Sequence, residues 1–216
     1  MAEALADRET LLELRDVALS RGYMPLISGL NLTLFGGDVL WIEGANGCGK
    51  TTLLRAIAGL SQSYDGDMLW RGRELRSQAS DWRDESLYLG HRSGVRQRLT
   101  VMENLQWQLA LSSRRTDVSA EVALAALGLA GYEDESCDRL SAGQLRRVAL
   151  ARLLLTPAQV WLLDEPFTAL DRRGQQWLEE QITGQRERGG LVLMTSHQPP
   201  AGLTAMSRLN LEALRV

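Results

Sequence analysis

An apolar run, Val39-Leu40-Trp41-Ile42, leads through Glu43 into Gly44-Ala45-Asn46-Gly47-Cys48-Gly49-Lys50-Thr51, and the helix-periodic segment Thr52-Leu53-Leu54-Arg55-Ala56-Ile57-Ala58 follows it. A G-x-x-x-x-G-K-T loop between a buried strand and a helix fits an α/β sheet protein that cradles phosphate. The glycines let the backbone wrap closely round an anion, so that successive N–H groups point inward at a helix N-terminus. Lys50 is the only lysine of the chain, and every other basic residue among the 24 Lys and Arg is arginine. Its ammonium is kept where it can reach the β- and γ-oxygens of a nucleotide, and the Thr51 hydroxyl is placed to ligate Mg2+ on the same phosphates. A chance glycine-rich turn would require neither the strand before it nor the helix after it.

At 216 residues, 44% hydrophobic and 24% charged, the chain suits one globular domain spanning 1–216, with room for an inserted subdomain. A net charge of −3 gives no electrostatic case for nucleic acid. Two cysteines, Cys48 and Cys137, make neither a disulfide framework nor a metal-ligand cluster, so a reducing cytoplasm is expected. Met1 to Glu9 carries alternating charge without an apolar core, so no signal peptide is expected there. No stretch approaches the ~18 apolar residues of a membrane span. A membrane role would therefore need a partner to hold the chain in place.

Short apolar runs alternate with helical patterns, which predicts an α/β architecture. Leu30 to Phe35 and Asp38 to Glu43 flank Gly36-Gly37 and read as an antiparallel hairpin feeding the phosphate loop. Val160-Trp161-Leu162-Leu163 and Leu191-Val192-Leu193-Met194 read as further buried strands. One strand ends at the Gly44 loop, one at Asp164-Glu165 and one at Thr195-Ser196-His197, and open α/β sheets bind ligands at that carboxyl edge. Between about 92 and 156 the pattern is helical, which predicts a helical subdomain inserted into a core of about 1–91 and 157–216. Trp41 and Trp161 read as sheet core.

Asp164 at a strand end can hold the Mg2+ shell, while Glu165 can polarise a water for in-line attack on a γ-phosphate. His197 directly follows a strand end and can donate to a phosphate oxygen. Within the helical segment, Leu140-Ser141-Ala142-Gly143-Gln144 has capping-box spacing, with Ser141 and Gln144 as its ends and Gly143 in the first turn. Such a helix start offers N–H groups and dipole to an anion. One phosphate loop is enough to wrap one nucleotide, so a second anion-binding start suggests that the ATP of another subunit sits against it. Thr100 and Glu103 give a second capping box. Arg146 and Arg147 read as a solvated helix face. Cys48 reads as a small packing group and Cys137 as structural or incidental.

The loop GANGCGKT, then LSAGQ, WLLDEP, Ala169-Leu170-Asp171 and Ser196-His197 resemble, in order and separation, the nucleotide-binding domains of ABC ATPases. The resemblance covers nearly the whole chain and implies a P-loop domain with a RecA-like core, an antiparallel β region and an inserted helical subdomain. It implies ATP and Mg2+ bound by Gly44, Ala45, Asn46, Gly47, Cys48, Gly49, Lys50, Thr51 and Thr52, with Thr51 and Asp164 serving the metal. It further implies catalysis by Glu165 as general base, with Lys50 and His197 on the γ-phosphate. Ser141, Gly143 and Gln144 would meet the nucleotide of a second copy in a head-to-tail ATP-sandwich dimer, with Asp171 at the subunit junction.

Two departures from that pattern matter. His91, in Leu87-Tyr88-Leu89-Gly90-His91, stands where these domains usually have glutamine, and imidazole is a poor magnesium ligand. Either it senses the nucleotide site through water or the γ-phosphate, or it has a structural loop role. For the adenine, Arg21 occupies about the place of the usual stacking aromatic, and Tyr23 is the nearest aromatic; both remain open. The run Gly90-His91-Arg92-Ser93-Gly94 with its continuation to Leu105, and Ser196-His197-Gln198-Pro199, are similar to the ATP-binding subunits of the bacterial cytochrome c maturation family, long labelled haem exporters. That likeness implies a peripheral subunit at the cytoplasmic face of the inner membrane. Its partners would be integral membrane subunits of the maturation complex and, indirectly, a periplasmic haem chaperone. Direct haem binding is not expected, since the chain lacks C-x-x-C-H. Trp107 reads either as an anchor for the membrane subunit or as subdomain core.

Overall fold

The computed structural model describes residues 8–111 and 116–216. Strand β1 (Thr10–Arg21) turns at Gly22-Tyr23 into β2 (Met24–Phe35), and β3 (Val39–Glu43) runs through the glycine loop into α1 (Lys50–Ile57). Strands β4 (Tyr64–Trp70) and β5 (Arg73–Glu74), helix α2 (Ala79–Glu85) and strand β6 (Ser86–Leu89) follow. Four helices come next, α3 (Val101–Ala110), α4 (Ala120–Ala126), α5 (Ala142–Leu150) and α6 (Arg152–Leu155). The chain closes with β7 (Val160–Leu163), α7 (Arg172–Glu187), β8 (Leu191–Thr195), β9 (Ser207–Asn210) and a 3-10 turn over Leu211–Leu214.

The strands form two sheets. One is antiparallel in the order β2-β1-β4-β5, and the other runs β6-β7-β8-β3-β9 with every pairing parallel. The hairpin expected across Gly36-Gly37 does not form. The antiparallel hairpin is instead the one at Gly22, where Arg21 lies opposite Met24 and Gly22 takes the positive φ of 61° that a tight hairpin turn needs. At Gly36-Gly37 the chain changes sheets: Gly36 N–H donates to Glu9 O on the antiparallel side, and Gly37 N–H donates to Gly190 O, next to β8. The Asp38 carboxylate closes this corner by accepting from Phe35 N–H. Two strand-like flanks around a Gly-Gly pair suit a hairpin, but the second flank is a continuous apolar run: the four residues of β3 that follow Asp38 are buried on both faces, and only a central parallel strand offers that.

The same double burial runs along β7 and β8, and their side chains divide by parity. Val39, Trp41, Trp161, Leu163, Val192 and Met194 face a core shared with Val101, Leu105, Leu124, Val148, Leu178 and Ile182 of the helices. Leu40, Ile42, Val160, Leu162, Leu191 and Leu193 face the opposite core, built with Leu12 and Leu14 of β1 and Leu53, Leu54 and Ile57 of α1. Trp41 and Trp161 are thus sheet core. Between residues 101 and 155 the described residues contain helices and turns and no strand. Both expected capping boxes are formed, Thr100 with Glu103 at α3 and Ser141 with Gln144 at α5. Beneath α3, buried Asn104 donates to Arg96 O, Thr100 O and Cys137 Sγ, which gives Cys137 a structural place. Burial pushes that thiol's pKa up, away from reactivity.

Candidate active site

The carboxyl ends of four neighbouring parallel strands open at one edge and deliver Gly44, Gly90-His91, Asp164-Glu165 and Ser196-His197 there. Gly49, in the left-handed region at φ 112°, starts α1 without any side-chain cap, so the first N–H groups of the helix are left for an anion. Gly44 permits the tight entry: a Cβ there would lie 2.6 Å from Cys48 Sγ. Cys48 is buried beneath the loop and packs there as expected. Lys50 is 8% exposed and folds back to donate to Gly44 O at 2.6 Å and Ala45 O at 3.0 Å. From outside, Glu212 accepts from Ala45 N–H at 2.7 Å and fixes the loop's first turn, so that N–H faces a carboxylate rather than the cleft.

A cleft of ≈ 510 Å³ lies over the loop, lined by Asn46, Gly47, Gly49, Lys50, Thr51 and Thr52 together with Glu165 and Arg21. Of the two residues considered for the adenine, Arg21 lines this cleft, whereas Tyr23 projects fully exposed from the hairpin tip.

Asp164 is 1% exposed. Its Oδ1 accepts from Thr195 Oγ1 at 2.8 Å, and its Oδ2 is buried with no partner. The orphaned carboxylate oxygen of Asp164 and the exposed hydroxyl of Thr51 in the cleft wall are the hard oxygen donors that a divalent cation prefers, so the chemistry of these two residues fits magnesium. Next to it, Glu165 takes φ 49°, rare for a residue with a side chain. His91 Nδ1 lies 3.1 Å from Glu165 Oε2, and His197 Nε2 lies 3.3 Å from Oε1. Both histidines of the chain therefore face one carboxylate. Tyr88, behind the pair, has its phenol pushed up to about 12 by burial and, secondarily, by the Asp164 charge.

Ser141, Gly143 and Gln144 do not line this cleft. Ser141 Oγ accepts from Gln144 N–H and Gln144 Oε1 accepts from Ser141 N–H, which makes a stiff, exposed helix start. Gly143 packs so close to the next loop that a Cβ would sit 2.9 Å from Ala169 O. Asp171 caps α7 through Gly174 N–H and pairs with Arg147 at 2.6 Å; the Gly174 bond first, and then Arg147, hold its carboxyl below the usual range. Arg147 is thus bound to the loop that carries Asp171.

The roles of three residues of the site escape sequence reasoning. Thr195 is fully buried and bridges the acidic pair, accepting from Glu165 N–H and donating to Asp164. The signal was a lone hydroxyl closing an apolar strand. Glu212 lies 167 residues from the loop it braces and left no local trace. Arg146 corrects an expectation, because it is 5% exposed rather than solvated and donates to the carbonyls of Gly90, Asp164, Glu165 and Pro166. It stands one turn before Leu150, which is also buried, so its burial follows the apolar face of α5, although its carbonyl partners are distant in sequence.

Residues 27–168 match the family model described as ABC transporter. The Saccharophagus degradans protein named cytochrome c biogenesis ATP-binding export protein CcmA is 49% identical over 195 residues, covering 86% of each chain. The Escherichia coli K12 protein of the same name is 45% identical over 191 residues, covering 88% of this chain and 90% of its own. A Pyrococcus furiosus protein assigned as an ABC transporter ATP-binding protein superposes with a TM-score of 0.80 at 24% identity, over 95% of this chain and 99% of that one, a likeness of fold. With the phosphate loop, the acidic pair and the capped LSAGQ helix in place, the chain belongs to the ABC transporter ATP-binding family and, within it, to the CcmA proteins.

Proposed function

We propose that this chain is the ATP-hydrolysing subunit of a cytochrome c maturation complex, using ATP to drive release of a haem chaperone or haem handling at the inner membrane. The observation that carries the catalytic part is the Asp164-Glu165 pair: one carboxylate buried with an open oxygen, the other turned to the cleft edge between two histidines. The loop N–H groups and Lys50, released from its bonds to Gly44 and Ala45, bind the β- and γ-phosphates. Thr51 and Asp164 would hold Mg2+, which supplies charge neutralisation on the phosphates when bound. Glu165 orients a water and accepts its proton as the new P–O bond forms and the bond to the β–γ bridging oxygen breaks, leaving ADP and phosphate. His197 donates to the γ-phosphate oxygens. The LSAGQ start, lying off the chain's own cleft, completes the site of a second copy placed head to tail.

A groove of ≈ 460 Å³ supports docking to a membrane subunit. Leu60, Leu87, Trp107 and Leu111 line it, and Arg96 stacks on Trp107 with Cζ 3.7 Å from the ring centroid. Trp107 is 40% exposed, which supports the reading of it as an anchor over that as core. No helix among the described residues is long and apolar enough to cross a membrane, which supports a peripheral place.

The test is Glu165→Gln in the native host, with covalent haem measured in c-type cytochromes and b-type cytochromes as control. Selective loss of c-type haem is expected. Unchanged c-type haem, with the variant present and ATP-bound, would assign the chain to another ABC exporter.

A further inference from the structure

Arg146 is an expensive residue for its place. It is buried on α5, burial draws its pKa down, and a hydrocarbon side chain would pack there without desolvating a charge. Its hydrogen bonds go to main-chain carbonyls on two separate segments: Nη1 to Gly90 at 2.8 Å, Nη2 to Asp164 at 3.1 Å and to Glu165 at 2.8 Å, and Nε to Pro166 at 3.2 Å. Only a planar fork with several fixed donors can serve all four at once.

Both segments carry the chemistry. Glu165 is held in a left-handed conformation, which persists in a non-glycine residue only where surrounding bonds over-determine it. Its carbonyl is held by Arg146 and its N–H by Thr195, so the main chain from which the carboxylate springs is fixed on both sides. Gly90 precedes His91, whose ring meets that carboxylate. The helix that brings the guanidinium begins at Ser141, the start offered to a partner's nucleotide.

We propose that Arg146 is a positioning residue for hydrolysis, setting Glu165 and His91 from a single rigid group and registering the ends of β6 and β7 against the LSAGQ helix. This rests on the reading of Glu165 as the general base. An ammonium cannot span the four carbonyls, so Arg146→Lys keeps the charge and loses the arrangement.

The experiment is a double-mutant cycle on the full chain, using single-turnover hydrolysis of radiolabelled ATP followed over hours, with ATP affinity and thermal melting measured alongside. R146K is expected to slow hydrolysis by at least ~10-fold in the parent background, with ATP affinity changed by less than ~3-fold. In the E165Q background the same change is expected to cost less than ~2-fold, because both act through one carboxylate. A residue that merely supports the fold would cost equally in both backgrounds, and that result overturns the proposal, as does an R146K variant as fast as the parent. R146Q, whose amide serves one carbonyl, takes its place in the cycle if R146K fails to fold. An E165Q variant that hydrolyses like the parent removes the general base itself, and the proposal falls with it.

Discussion

Thr195 joins the two acidic residues with a single hydroxyl, and this makes it the most exacting contact in the site. Its oxygen accepts from Glu165 N–H and donates to Asp164 Oδ1, both at 2.8 Å, in a fully buried position. Thr195→Val keeps the β-branched shape but leaves one buried donor and one buried acceptor unmatched, a cost of about 1–3 kcal/mol. Since Asp164 Oδ2 is already without a partner, the variant would leave both oxygens of that carboxylate unsatisfied. Hydrolysis is expected to fall by roughly 10-fold, with most of the loss recovered in Thr195→Ser, which restores the hydroxyl. Equal activity of the valine and serine variants in a steady-state phosphate-release assay would show that the bridge is irrelevant to catalysis.

Helix starts and strand ends do most of the positioning at the level of elements. The capping box at α3 orders the helix directly after the His91 loop, with Glu103 N–H donating to Thr100 Oγ1 and the Glu103 carboxylate accepting from Thr100 N–H. Thr100→Ala removes the first of these and should cost about 1 kcal/mol, or about 2–4 °C in Tm for a chain of this size. ATP affinity should not change, because Thr100 does not line the nucleotide cleft; a matching loss of affinity would tie α3 directly to that site. These starts were legible in the sequence because a capping box is a local pattern. The phosphate loop and the buried runs of β3, β7 and β8 were legible for the same reason. Sheet membership was not, since two strand-like runs beside Gly36-Gly37 fit a hairpin as well as a crossing between sheets, and the distant Gly190 carbonyl decides between them. Arg146 and Glu212 were missed because their partners lie 18 to 56 and 167 residues away, where no local pattern reaches.

Considered whole, the 24.0 kDa chain carries two helix starts of the kind that suits an anion, and only one of them lies at the nucleotide cleft. Lys50 and the α1 start line the cleft, while Ser141 and the α5 start stand outside it. The head-to-tail pair proposed above would resolve this, because each copy would then lend its Ser141 start to the other's nucleotide. The arrangement predicts complementation between two damaged copies. Lys50→Ala leaves the LSAGQ helix intact, and Ser141→Arg leaves the phosphate loop intact while placing bulk and positive charge on the exposed start of α5. Each variant alone should hydrolyse ATP at a few per cent of the parent rate or less. Random pairing in an equal mixture gives hybrids in half of the dimers, each with one sound site of two, so about a quarter of the parent rate should return. A mixture no faster than its components, with hybrids confirmed by differential tagging, would mean that the LSAGQ start does not act across the dimer. In that case the chain would complete its site by itself, and the separation of Ser141 from the cleft would have to close by movement of α5 toward Lys50.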